Sequence, residues 1–103
     1  MYDLRYKPSA EKYFKKLKNK GMILVFKDAL TEISKDPYNA GKAKTGDLKG
    51  IYCRDVFYNK VNYEIAYQIF EEDGNYVVVI LAGTRENFYN ELKRYLQSQG
   101  SVN

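Results

Sequence analysis

The stretch YVVVILAGTRENFYNELKRYL, residues 76–96, decides the fold. Its first seven residues, Tyr76 to Ala82, form the most apolar run in the chain, and their β-branched content marks a strand buried on both faces. Gly83-Thr84 then breaks the pattern, and Thr84 is a residue type that caps helices. Beyond it Phe88, Leu92, Tyr95 and Leu96 recur at i, i+4, i+7 and i+8, which is one apolar stripe of a helix laid on a sheet.

Working outward, Asp73-Gly74 before this strand is a hairpin signal, and it joins the strand to another over Asn62–Phe70. Asn59-Lys60 joins that one in turn to a strand over Ile51–Tyr58. Residues 36–49, DPYNAGKAKTGDLK, lack periodicity and read as a loop presenting Lys42, Lys44 and Lys49. Upstream, Met22, Val25, Phe26, Ala29, Leu30 and Ile33 make one helical stripe; Ala10, Tyr13, Phe14 and Leu17 make another, capped by Ser9. Asn19-Lys20-Gly21 supplies a stop between them, giving a helical hairpin, and Tyr2–Tyr6 alternates as a first strand. The order β-α-α-β-β-β-α predicts one α+β domain over residues 1–103, with helices on one side of the sheet, the other face free to stay open, and a frayed tail from Gln97.

Composition narrows the chemistry. With 45% apolar and 29% charged residues the chain is expected to fold. It contains no apolar run long enough to span a bilayer and no signal-peptide core at its start, so a cytoplasmic protein without a membrane partner is expected. One cysteine, Cys53, allows no internal disulfide and no multi-cysteine metal site, and the absence of histidine removes zinc hydrolases and Ser-His or Cys-His nucleophiles together. Chemistry must therefore run on Lys, Arg, Tyr, Asp and Glu. The net charge of +4 is concentrated: residues 1–50 hold 12 Lys/Arg against 6 Asp/Glu, whereas residues 51–103 hold 5 against 7. Such a local positive field suits a polyanion, with nucleic acid first and an acidic protein second.

Two constellations carry that reading. Arg85, Tyr89 and Lys93 lie at i, i+4 and i+8 on one face of the last helix, beside the apolar stripe. Arg85 stands at the helix N-terminus, where unpaired N–H groups, the helix dipole and a guanidinium together make a phosphate site. On the strand over 51–58, Tyr52, Arg54, Val56 and Tyr58 share a face, so Arg54 is flanked by tyrosines, a pattern suited to single-stranded RNA. Pairing of Arg85 with Glu86 and packing of Tyr89 in the core are the structural alternatives.

Beyond these residue-level readings, LRYKPSAEKYFKKL near the start, DLKG before the second strand, YEIAYQIF, and above all VVVILAGTRENFYNELKRYL resemble the RelE/ParE superfamily of type II toxin-antitoxin toxins, and the C-terminal segment resembles its RelE branch. The resemblance covers nearly the whole chain. It implies a small RelE-like fold with an antiparallel sheet core packed by an N-terminal helical hairpin and a C-terminal helix. It also implies a toxin that cleaves mRNA at the ribosome without a metal or small-molecule cofactor and that is silenced by an acidic antitoxin wrapping around it. On this resemblance Arg85 and Arg54 hold the phosphate, Tyr89 orients or protonates a reacting oxygen, and Lys49 serves as a further acid or base. Lys42, Lys44, Lys60, Tyr52 and Lys93 line the RNA. The chain departs from the family at Glu64, where many RelE relatives carry an arginine, so that one phosphate contact is absent or supplied by Lys60; the spacing from Arg85 to Tyr89 is also shorter. Glu64 or Glu86 as the base is an open alternative. A ParE-like toxin that poisons DNA gyrase, and a plain RNA-binding module, are the rival readings.

Overall fold

Proline lacks an N–H and has a fixed φ, which suits it to the first turn of a helix. In the computed structural model, which describes residues 1–100, Pro8 opens helix α1 (Pro8–Lys15) directly after strand β1 (Asp3–Tyr6). The cap is Lys7, without a side-chain bond. Ser9, expected to cap, instead lies inside the first turn and donates its Oγ to the Ile80 carbonyl at 2.6 Å, tying α1 to the sheet. Leu17 falls just beyond the helix.

Helix α2 (Lys20–Lys35) starts where a stop is expected. Asn19 acts as an N-cap, its Oδ1 accepting from the Met22 N–H at 3.0 Å. Gly21 is therefore inside the helix, and the reason lies elsewhere: a Cβ there would sit 2.5 Å from the Tyr58 hydroxyl. The segment read as a loop contains a short helix α3 (Pro37–Ala40), a two-residue strand β2 (Lys42–Ala43) and a 3₁₀ turn (Gly46–Leu48). Strands β3 (Tyr52–Tyr58), β4 (Val61–Phe70) and β5 (Tyr76–Thr84) follow, then helix α4 (Arg85–Gly100). The tail expected to fray from Gln97 is helical to Gly100, and residues 101–103 lie outside the described residues.

The sheet order is β1-β5-β4-β3-β2, antiparallel throughout except that β1 runs parallel to β5. The three inner strands β5, β4 and β3 are thus flanked, and β5 is buried as its composition predicts. A β-bulge sets its two faces: Ala66 pairs with Leu81 and Tyr67 with Val79, leaving Ile80 as the extra residue. Ile80 and Leu81 consequently both turn toward α4, whereas Val77, Val79 and Ala82 face α1 and α2.

Helices therefore cover both faces rather than one. On the first, Phe26, Ala29 and Ile33 pack with Val56, Ile65 and Tyr67. On the second, Phe88 and Leu92 pack with Cys53, Ala66, Ile80 and Leu81, and with Leu48 of the 3₁₀ turn. Full burial of side chains such as Phe88 and Leu92 contributes about 1.5–3 kcal/mol each, enough to fix α4 in place. Its apolar contacts reach only part of this face, and the residues at the other end, Asp55, Phe57 and Asn62, are exposed.

A buried carboxylate under an arginine and a tyrosine

β5 passes into α4 without an intervening loop, since Thr84 ends the strand and Arg85 begins the helix. That junction holds Arg85 over the β4–β5 pairing, and one helical turn later Tyr89 leans on the same strands. Both side chains meet Glu64. The Tyr89 hydroxyl donates to Glu64 Oε1 at 3.0 Å, and Arg85 Nε lies 3.7 Å from Oε2. The Glu64 side chain is only 2% exposed, against 59% for Arg85. Its Oε2 is buried without a hydrogen-bond partner, so one lone-pair set of this carboxylate is unsatisfied.

Neighbours on the sheet explain both the burial and the opening. Glu64 pairs with Gly83 on one side and Asp55 on the other. Gly83 needs no unusual backbone angle, and a Cβ there would meet nothing within 4 Å, so its missing side chain leaves space next to the carboxylate. Asp55 brings a second negative charge to the same face.

Burial pushes the Glu64 carboxyl above its ordinary range, and Asp55 adds to the effect; the Tyr89 hydrogen bond and the Lys44 and Arg85 charges oppose it. Burial also raises Tyr89, helped by Glu64, so the phenol keeps its proton. Lys44 places its ammonium 5.1 Å from the centre of the Tyr89 ring, and its interaction with that residue holds it above the usual lysine value. The Cys53 thiol beneath is pushed up to about 12 by burial and is inert as a nucleophile at neutral pH.

The structure thus brings Arg85, Tyr89 and Lys44 together, but separates them from Arg54. Alternation along β3 sends Arg54 to the α2 face, where Nη1 donates to Glu32 Oε1 at 2.7 Å and to the Ala40 carbonyl at 3.1 Å. Tyr52 shares that face and stacks on Tyr67 at 5.7 Å, with Tyr38 edge-on at 6.0 Å. Tyr58 donates to Asn19. The tyrosine-flanked arginine is a packing arrangement beneath α2, and the β3 residues facing α4 are Cys53 and Asp55. Lys49 is exposed at the end of the 3₁₀ turn whose Leu48 packs under α4. Lys93 is exposed on α4 beside Asp47 and Leu48, Lys42 is exposed on β2, and Lys60 lies in the β3–β4 turn. Glu86 is exposed in the first turn of α4.

The residue that sequence reading undervalued is Glu64. Its signal was available: it is the one charged residue of the strand Val61–Phe70, set directly before the buried run Ile65–Tyr67. Its burial depends on α4, which periodicity does not place. A carboxylate with an unfilled acceptor, a phenol that stays protonated and a guanidinium at a helix N-terminus can together accept a proton, donate one and hold an anion. Among the described residues no three His, Cys, Asp or Glu side chains converge to hold a metal ion.

The fold is that of RelE toxins. A free-state E. coli RelE in which two arginines are replaced by alanine is 25% identical, with a TM-score of 0.67 over 90% of this chain and 96% of that one. A chain of the intact E. coli RelBE toxin-antitoxin complex is 26% identical, with a TM-score of 0.60 over 81% and 95%. A chain of a RelBE toxin-antitoxin complex from Mycobacterium tuberculosis is 24% identical, with a TM-score of 0.64 over 82% and 98%. No curated protein matches the chain by sequence. The model of the family described as the ParE-like toxin of type II bacterial toxin-antitoxin systems matches residues 4–93, and the chain belongs to that family, within the RelE/ParE superfamily.

Proposed function

We propose that this toxin is a metal-independent endoribonuclease that cuts mRNA on the ribosome, with Glu64 as its general base. The observation that carries the reading is the buried Glu64 carboxylate, hydrogen-bonded to Tyr89, approached by Arg85 and left with one free acceptor oxygen. RNA supplies its own nucleophile. Glu64 takes the proton of a 2′-hydroxyl, the 2′-oxygen forms a bond to phosphorus, and the bond from phosphorus to the 5′-oxygen breaks. Tyr89 gives its proton to the departing oxygen, leaving a 2′,3′-cyclic phosphate and a 5′-hydroxyl. The hydrogen bond between Glu64 and Tyr89 then carries the gained proton back, so the site is restored without an external acid.

Charge stabilisation falls to Arg85 and the α4 N-terminus, which would hold the non-bridging phosphate oxygens. Lys44, over the Tyr89 ring, would stabilise the phenolate while it is formed. Exposed Lys42, Lys49 and Lys93 would track the RNA backbone. Arg54, turned to the other face, holds α2 and α3 to the sheet in this reading.

An acidic antitoxin is the partner that fits. Between α1 and α2 lies an apolar groove of about 430 Å³ lined by Phe14, Leu17, Ile23, Phe26 and Leu30, its rim carrying Lys27, Lys15 and the Glu11 that pairs with Lys15. An amphipathic acidic segment suits it by shape and charge, and the RelBE complexes of E. coli and M. tuberculosis are toxin-antitoxin pairs. Binding in the cytoplasm follows from an mRNA substrate, and among the described residues no helix is long and apolar enough to cross a membrane.

One observation favours a second reading. Two carboxylates, Asp55 and Glu64, stand where a purely phosphate-binding site would carry cations, which suits a ParE-like toxin that poisons gyrase without chemistry. Addition of the toxin to a translating extract and, separately, to a gyrase supercoiling assay distinguishes the two. RNA fragments ending in cyclic phosphate support the nuclease; gyrase-dependent DNA breaks with intact RNA support the poison.

A further inference from the structure

We propose that Phe57 is a stacking platform for a nucleobase next to the cleaved phosphate, so that the site takes single-stranded RNA across the uncovered end of the α4 face. This rests on the nuclease reading. Phe57 is 65% exposed, the largest exposure of any described aromatic ring among the exposed large hydrophobics. Pairing places it: Asp55 lies opposite Glu64 and Phe57 opposite Asn62, so Phe57 and Glu64 share a face and are diagonal neighbours, about 7–8 Å apart at Cα. The apolar cluster under α4 reaches Cys53 and Ala66 but not Phe57 or Asn62. On the other side of Glu64 from the ring, Gly83 contributes no side chain, so the sheet surface beside the carboxylate is open there.

That span matches the chemistry required. A phosphate at Arg85, with its ribose 2′-hydroxyl at Glu64, puts an attached base several ångströms away along the same face. An unstacked base can reach Phe57, whereas one held in a duplex cannot present its face to a protein ring. A neutral ring also answers the local charge, since Asp55 makes this end of the site unsuitable for a second phosphate but indifferent to a base. The ring itself selects no sequence, because every base has a face to stack.

The chain contains no tryptophan, so Phe57→Trp creates a single reporter in the full-length toxin. The probe is a 2′-O-methyl RNA hexamer, which lacks the nucleophile and cannot be cut. Saturable quenching by the single-stranded hexamer, lost when it is annealed to its complement, is expected. Phe57→Ala should also lower kcat/KM for RNA by about tenfold or more, chiefly through KM, while leaving the pH profile unchanged. Emission that is insensitive to the hexamer, in a toxin whose wild type cuts RNA, overturns the platform and leaves the nuclease standing. Quenching in a toxin that cuts no RNA supports the platform and overturns the nuclease. Insensitivity together with no cutting overturns both.

Discussion

The Tyr89 hydroxyl donates a 3.0 Å hydrogen bond to Glu64 Oε1, and the other oxygen of that buried carboxylate has no hydrogen-bond partner. A charged group kept in this state costs the fold stability. Because the folded pKa of Glu64 is raised above its unfolded value, near 4.5, the folded protein holds the extra proton within the window between them, and stability falls as pH rises through that window. Glu64→Gln removes the titration. Its melting temperature should exceed that of wild type at pH 8, by the equivalent of about 1 kcal/mol, and the gain should shrink toward pH 4.5. Thermal melts across that range check the sign.

Arg85→Ala should leave the fold intact, because the side chain is 59% exposed and makes no apolar contact in the α4 core. Cleavage should fall by about 10²-fold or more, as for loss of one transition-state donor. Removing this cation also takes away a charge that lowers the Glu64 pKa, so the acid limb of the residual rate should move to higher pH. A limb that stays in place separates Arg85 from Glu64.

Asp55→Asn tests the same coupling with the opposite sign. Asp55 raises the Glu64 pKa across the β3–β4 pair, so its neutralisation should shift the acid limb to lower pH with little change in the plateau rate. Single-turnover rates between pH 5 and 9.5 read both shifts.

Much of this architecture was legible before the structure. Periodicity located β3, β4 and β5 within a residue or two, because apolar alternation and the Asn59-Lys60 and Asp73-Gly74 turns are local signals. The helical hairpin was also visible, although Asn19 proved to start a helix and Gly21 to accommodate Tyr58, a contact between distant segments. The site was harder to read. Alternation assigns Arg54 and Tyr52 to one face of β3 but does not say which helix covers that face. The answer, α2 with Glu32, comes from tertiary packing. The bulge at Ile80 and the covering of both faces are likewise long-range outcomes.

Arg54→Ala follows from that separation. It should lower stability by about 1 kcal/mol, through loss of the bonds to Glu32 and the Ala40 carbonyl, and leave the cleavage step within a few-fold of wild type. Denaturant melts together with single-turnover kinetics make the comparison. A loss as large as that of Arg85→Ala would return Arg54 to the site.

Gly41→Ala probes the packing behind β3. The added Cβ would lie 2.5 Å from the Tyr67 hydroxyl and 2.8 Å from the Cys53 carbonyl oxygen, and Tyr67 is fixed by its own 2.7 Å bond to the Pro37 carbonyl. A loss of about 1–3 kcal/mol in urea melts is expected, as for other overpacked sites.

The most direct test of the account is cleavage of mRNA in a translating extract by wild type and Glu64→Gln side by side, with the ends of the fragments identified. Wild type should produce 2′,3′-cyclic phosphate and 5′-hydroxyl ends, with an acid limb above the ordinary carboxylate range, and Glu64→Gln should be slower by about 10²–10⁴-fold, the scale of a lost general base. Equal rates from the two proteins, or intact mRNA with both, would contradict it.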